Sequence, residues 1–459
     1  VPPAPPNPLS LPSATFAAAC KSLALPGGVA AALDRYARAF RTGHTADPLA
    51  PVHVAPVLRT HRSESPEGTV LKFTQDAGPA PSPGASGPAV PHLAAPVAPN
   101  APTNSNHTTH HNSAPHAAFV PGAHGPAAPG ASTPPTTHLH TQLPAHTDAP
   151  PRLEIESVLI PMIGKKRARS YTLCLSSQVG CAMGCGFCQT AQMGLIRSLT
   201  TAEIVGQWFA AQHQVERPDP AAPIRNIVFM GMGEPMDNLD AVLSAIEILT
   251  DTRGPALAMG RITISTVGRL DGIAKMAERV QTPGWHRLGL AVSLNAPNDA
   301  VRSALMPVNR AMPLAALREA LLAWPFYSGV HHCLEYVLIP TVNDTPENAD
   351  ELAAFVLGDE LDERAAGLGA TAGRPVAPHV RRFPGPALRG LINLIPYNPR
   401  DNSPWPAPTE ASVEVFMARL SALRVYVKRR RTKGRDTMAA CGQLGNPSIR
   451  RTKLLVRGV

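Results

Sequence analysis

No apolar run in this chain is long enough to cross a membrane as a helix, so a helical membrane anchor is excluded from the sequence given. Cysteine is scarce: there are seven, an odd number at irregular spacing. That pattern excludes a disulfide framework and points to a reducing compartment. Lysine and arginine are absent between Lys72 and Arg152, where Ala, Pro, Gly, Ser, Thr and His dominate. Such a stretch cannot bury enough apolar surface to offset its ordering entropy, so about Ala77 to Pro150 is expected to be disordered. Its histidines His107, His110, His111, His138 and His140 read as compositional bias, with metal scavenging as the alternative. An initial Met is also missing; the chain opens Val1-Pro2-Pro3, as expected of a fragment or a processed start, and a transit peptide cannot be read.

What remains carries the charge. The formal net charge of +9 falls on the segments outside the biased stretch, notably Lys165, Lys166, Arg167 and Arg169, and the run Lys428, Arg429, Arg430, Arg431, Lys433 and Arg435. Basic clusters of this kind suit a polyanion such as RNA, although most charge runs are simply solvated faces. The 51 prolines are concentrated, so 459 residues overstate the folded part. One large domain plus a small one is the expectation.

Three cysteines stand in the spacing CxxxCxxC: Cys181, Cys185 and Cys188. Three thiolates this close can hold a four-iron cluster at three irons and leave the fourth open to a ligand. Zinc is the competing reading, but structural zinc takes four closed ligands, generally as two separated pairs. No second pair is present, and the neighbouring Gln189, Thr190 and Gln192 are poor zinc donors. Phe187 suits a shield against solvent, or core filling.

From Tyr171 onward, β-branched apolar runs alternate with amphipathic stretches. The runs are Thr172 to Ser176, Ile227 to Met230, Ile262 to Ser265, Leu288 to Leu294, Cys333 to Ile339 and Leu391 to Ile395. Near-continuous apolar strands separated by helices predict an α/β fold with a parallel sheet, and six units suffice for a partial (β/α)6 barrel. Thr200 and Glu203 form a capping box ahead of Ile204, and Leu270 to Val280 has helical spacing. Thr69 to Thr74 and Leu153 to Ile160 read as two strands that pair as a hairpin around the biased stretch, a long loop tip that costs little to close. The expected organisation is a small helical domain over 1–68, including Val29 to Phe40; the interrupted hairpin over 69–170; the barrel over 171–430, with a second insertion at about 358–386; and a C-terminal segment over 431–459. Ligands gather at the carboxyl ends of parallel strands, where most of the polar motifs fall.

Cys174-Leu175-Ser176-Ser177-Gln178-Val179-Gly180-Cys181, Gly231-Met232-Gly233-Glu234-Pro235 and Ala439-Ala440-Cys441-Gly442-Gln443-Leu444 together resemble the RlmN/Cfr family, over about Leu153 to Leu444. These are radical S-adenosylmethionine (SAM) enzymes that methylate an adenine of large-subunit ribosomal RNA. The resemblance implies a radical SAM barrel, a 4Fe–4S cluster on Cys181, Cys185 and Cys188, and two SAM molecules per turnover. It implies that Cys441 carries a methyl group, that Cys174 releases the product through a transient disulfide with Cys441, and that Glu156 accepts a proton. A solvated strand residue is the plain alternative for Glu156, and inert packing is the alternative for both cysteines. Gly233, Glu234, Ser265, Ser293, Leu294, Asn295 and Asn398 align with SAM-binding positions. Asn295 replaces the usual bacterial His, which keeps hydrogen bonding but removes an imidazole. Arg435-Asp436-Thr437-Met438 replaces the usual acidic pair.

The resemblance implies methylation at adenine C2 of ribosomal RNA, with transfer RNA as a further substrate, a one-electron donor such as ferredoxin or flavodoxin, a monomer, and a home in the cytoplasm or an organelle stroma such as the chloroplast's. Three alternatives remain: a C8 methyltransferase, a non-catalytic iron–sulfur RNA-binding protein, and a radical enzyme acting on a protein or small molecule.

Overall fold

The computed structural model describes residues 4–79, 152–164, 167–327, 330–368, 375–400, 402–430, 433–434 and 437–445. Of the stretch expected to be disordered, Ala77 to Pro79 instead complete a strand, Val70–Pro79; the rest with its histidines, and Lys165, Lys166, Arg431 and Arg435, lie outside the described residues.

The elements run in the order α1 (Ser13–Ser22), α2 (Gly28–Thr42), β1 (Val57–Ser63), β2 (Val70–Pro79), β3 (Arg152–Ile163), β4 (Arg169–Cys174), β5 (Gln178–Gly180), α3 (Gln189–Gln192), β6 (Leu195–Ser198), α4 (Thr201–His213), β7 (Ile224–Phe229), α5 (Leu239–Thr250), β8 (Ile262–Thr266), α6 (Leu270–Arg279), β9 (Gly289–Ser293), α7 (Asp299–Leu305), α8 (Leu314–Leu322), β10 (His332–Leu338), α9 (Pro346–Leu357), α10 (Leu361–Ala366), β11 (Gly390–Pro396), α11 (Glu410–Ala422) and β12 (Val427–Arg429). Ten strands form one sheet in the order β1-β2-β3-β4-β7-β8-β9-β10-β11-β12. From β4 to β12 every pairing is parallel. The sequence leads to six parallel strands, and the short β12 adds one more. β1, β2 and β3 extend the β4 edge antiparallel, with β2 and β3 in register from Leu71 opposite Leu159 to Asp76 opposite Glu154 and the register shifting before Pro79.

The apolar runs form strands because both faces are covered: Leu173, Ile227, Phe229, Ile264, Leu290, Val292, Leu334, Ile392 and Leu394 are all buried. The helix α4 starts where its capping box dictates, with the Thr200 hydroxyl accepting from the Glu203 N–H at 3.2 Å and the Glu203 carboxylate accepting from the Thr200 N–H at 2.9 Å.

Two expectations change. The 1–68 region is not a helical domain apart. It contains β1, and its helices share the barrel's core, with the Phe40 and Trp208 rings 6.1 Å apart and the Ser13 N–H donating to Asp251 at 2.7 Å. The 358–386 segment is built into the fold where described: α10 lies in it, Val380 and Phe383 are buried, and Arg318 donates to the carbonyl of Pro386 at 2.6 Å. Among the described residues no helix is long and apolar enough to cross a membrane.

Candidate active site

The cysteine loop leaves the barrel at β4 and is braced by the small β5–β6 hairpin. Gly180, immediately before Cys181, sits at φ +75°, and a Cβ there would lie 1.9 Å from the Gly194 carbonyl oxygen, so only glycine fits. The Cys181 N–H donates to that same carbonyl at 3.0 Å. The loop closes on itself through Cys188 N–H to Cys185 C=O at 3.2 Å, and Cys188 then begins α3.

Cys181, Cys185 and Cys188 line a single cavity at the carboxyl ends of the strands. Among the described residues, no three His, Cys, Asp or Glu side chains converge as they would on one metal ion. A polynuclear cluster spreads its thiolates over separate irons, so this donor set fits a cluster better than a zinc ion. Burial raises all three thiols above their ordinary value. The thiolate form that binds iron is therefore one the metal must draw out.

Gly233, Glu234, Ser265, Ser293, Asn295, Asn398 and Cys441 line the same cavity. Gly233 sits at φ +102°, where a Cβ would strike the Gln178 side chain at 2.6 Å. This places Glu234, which is buried and accepts from the N–H groups of Met236 at 3.1 Å and Val267 at 2.9 Å. Burial outweighs those bonds and pushes the carboxyl up to about 7. Asn295 adopts φ +55°, a left-handed conformation that Asn tolerates. Its side-chain oxygen accepts from the Val337 N–H at 3.0 Å. Leu294 is not on the cavity wall: it is buried, and its carbonyl accepts from Arg302 at 3.1 Å.

Cys441 reaches the cluster loop because the C-terminal segment docks on α3. The Gln189 N–H donates to Gly442 C=O at 2.7 Å, and the Thr190 hydroxyl donates to Leu444 C=O at 2.5 Å. Cys174 is buried outside the cavity lining. Burial, and then the charge of Cys441, push its thiol up to about 12. Glu156 is also off the cavity wall. It is buried and paired with Lys72 at 2.8 Å, and Lys72 donates onward to the Met438 carbonyl at 3.2 Å. The expected carboxylate and the thiol loop are thus joined through a lysine.

Several residues escape a reading of the sequence. Arg302 is fully buried and donates to the carbonyls of Val267, Ser293 and Leu294 at 2.6, 3.1 and 3.1 Å and to Asn309 at 2.9 Å, tying together the loops after β8 and β9. Arg430, part of the basic run, turns into the cavity: it lines the wall with Cys441 and lies 4.0 Å from Glu335. The one local signal for Glu335 is a carboxylate inside an otherwise apolar strand.

The chain is similar to several known proteins. The Radical SAM superfamily model matches residues 175–353. A probable dual-specificity RNA methyltransferase RlmN 1 of Protochlamydia amoebophila is 42% identical over 301 residues, spanning 66% of this chain and 72% of the relative. A dual-specificity RNA methyltransferase RlmN of Phenylobacterium zucineum is 38% identical over 302 residues, or 65% and 68% of the two chains. The crystal structure of a radical SAM methyltransferase from Sphaerobacter thermophilus superposes with a TM-score of 0.66 at 26% identity, covering 96% of this chain and 99% of that one. Such kinship brings with it a 4Fe–4S cluster and SAM as cofactors, and the chain belongs to the RlmN family of radical SAM RNA methyltransferases.

Proposed function

We propose that the protein methylates C2 of an adenine in large-subunit ribosomal RNA, and in transfer RNA as well, through a methyl group carried on Cys441. The observation that carries this reading is the shared cavity: Cys441 lines it together with the three cluster thiols and Glu234. An ordinary radical SAM site has no need of a further thiol there.

Cys181, Cys185 and Cys188 would hold the cluster, and Glu234 would receive the SAM ammonium group. The cluster supplies reductive cleavage of SAM, and hence a radical able to take hydrogen from a methyl group. Adenine C2 is too poor a nucleophile to take a sulfonium methyl directly, whereas a thiolate does so readily. Cys441 therefore attacks one SAM and holds the methyl as a thioether, while a second SAM is consumed in activating that carbon. Once the carbon is bonded to C2, Glu156 takes the C2 proton, with Lys72 linking it to the loop of Cys441, and the remaining unpaired electron would be taken up by the oxidised cluster. The Cys174 thiolate then attacks the Cys441 sulfur; the sulfur–carbon bond breaks, the carbon takes a proton to become the product methyl group, and the disulfide left behind is reduced by an external thiol before the next turnover. A small one-electron carrier such as ferredoxin or flavodoxin would serve a monomeric enzyme.

The test is anaerobic reconstitution with iron and sulfide, incubation with RNA and methyl-labelled SAM, and mass spectrometry of the digested RNA. The expected product is 2-methyladenosine, absent for Cys441→Ala. Finding 8-methyladenosine alone would overturn the C2 assignment, and wild-type product from Cys441→Ala would overturn the methyl-carrier route.

A further inference from the structure

The interior of a parallel barrel is ordinarily a packed core of branched apolar side chains. Below the candidate active site this barrel is instead hollow, its wall combining apolar side chains such as Ile160, Val228, Met230 and Ile395 with a polar cluster. A cavity of about 550 Å³ lies toward the amino ends of the strands, lined by Thr172, Thr263, Cys333, Glu335 and Asn393, and it meets the upper cavity at Glu335, Arg430 and Cys441. Its size falls within the ordinary range of small-molecule pockets. At Gly289, between these positions, a Cβ would lie 2.7 Å from the Thr263 hydroxyl, so the wall there is kept bare.

Glu335 is the centre of this chamber. Its two oxygens accept from Asn393 Nδ2 at 3.0 and 2.9 Å, one of them also accepts from the Cys333 thiol at 3.1 Å, and Arg430 stands 4.0 Å away. Arg429 and Lys433 line the same cavity. A ligand suited to this arrangement is flat, carries a hydrogen-bond donor for a carboxylate, and has a phosphate for the cations. It must also reach Cys441.

We propose that the lower chamber receives the target nucleobase and that Glu335 accepts a hydrogen bond from the 6-amino group of adenine. This rests on the reading of the chain as an adenine methyltransferase. A base with a 6-keto group would set an acceptor against the carboxylate, so guanine and hypoxanthine are rejected by the same contact.

The experiment titrates adenosine 5′-monophosphate and inosine 5′-monophosphate into the anaerobically reconstituted full chain, with S-adenosylhomocysteine at saturation to occupy the SAM site. The adenine nucleotide should bind about tenfold more tightly or better. Glu335→Gln, whose amide can donate to a keto oxygen, should erase the preference, and Thr263→Leu, which fills the chamber, should abolish binding of both. Equal affinities in the wild type would overturn the proposal, as would adenine-nucleotide binding unchanged in both variants. The wild-type comparison decides the matter should either variant fail to fold, which iron content and melting temperature reveal. Methyl label in RNA without any nucleotide preference would sink the chamber alone. A preference without label would sink the methyltransferase reading and leave a purine site.

Discussion

Arg302→Met is the substitution that should most damage the site without touching any residue assigned to chemistry. Methionine keeps much of the volume but removes every donor, leaving three backbone carbonyls and the Asn309 amide oxygen without the guanidinium. Each buried group left unpaired costs about 1–3 kcal/mol, but neighbouring losses do not add, so the total should be about 3–5 kcal/mol. That is a large share of a typical domain's stability. At about 2.1 cal/mol/K of unfolding entropy per residue, it corresponds to a fall in melting temperature of roughly 5 °C in a fold of this size. Arg302→Lys, with three donors on a flexible stem, should fall between the two. Thermal unfolding followed by circular dichroism reads the loss, and SAM affinity by equilibrium dialysis should fall with it, because the loops after Ser265 and at Ser293 lose their common anchor. A melting temperature for Arg302→Met within about 1 °C of wild type would refute the reasoning, since even one orphaned carbonyl costs about that much or more.

Glu234, pushed up to about 7 by burial, should make SAM binding pH-dependent: its neutral form cannot pair with an ammonium group, so affinity should drop by up to about tenfold per pH unit below that value and level off above it. Equilibrium dialysis checks this, and Glu234→Gln should flatten the profile. Cys174→Ala should stall product release and accumulate a covalent protein–RNA adduct on denaturing gels; normal turnover would remove Cys174 from the mechanism. His332, which burial lowers to about 4, donates from Nε2 to the Leu321 carbonyl at 3.2 Å and is held neutral. Its folded value lies below the unfolded one, so its contribution is complete above pH ~6.5 and is lost as pH falls toward 4, by up to about 3 kcal/mol. Melting curves of His332→Leu against wild type should show that acid sensitivity reduced.

The parallel strands were legible because strands buried on both faces must be apolar throughout, as Ile262 to Ser265 and Leu391 to Ile395 are. β1 was not, because Leu58 to Arg62 are exposed on the sheet's edge and show no alternation. The 358–386 segment misleads for another reason: its order comes from partners far away in sequence, such as Arg318 holding the Pro386 carbonyl. The site divides along the same line. The three thiols proposed to hold the cluster lie within eight residues, and their spacing is visible in the sequence. Arg302, Lys72 and Glu335 act through contacts that only the folded sheet creates, and Arg430 looks like one more solvated charge until β12 pairs with β11 and carries it inward.

Cys441 follows every barrel strand in the chain, yet it is seated beside Cys181, Cys185 and Cys188 through Gln189 and Thr190. During synthesis those three cysteines therefore emerge well before it. On the proposed roles, a polypeptide cut short on the ribosome would lack the methyl carrier, so methyl transfer becomes possible only once the C-terminal segment has docked.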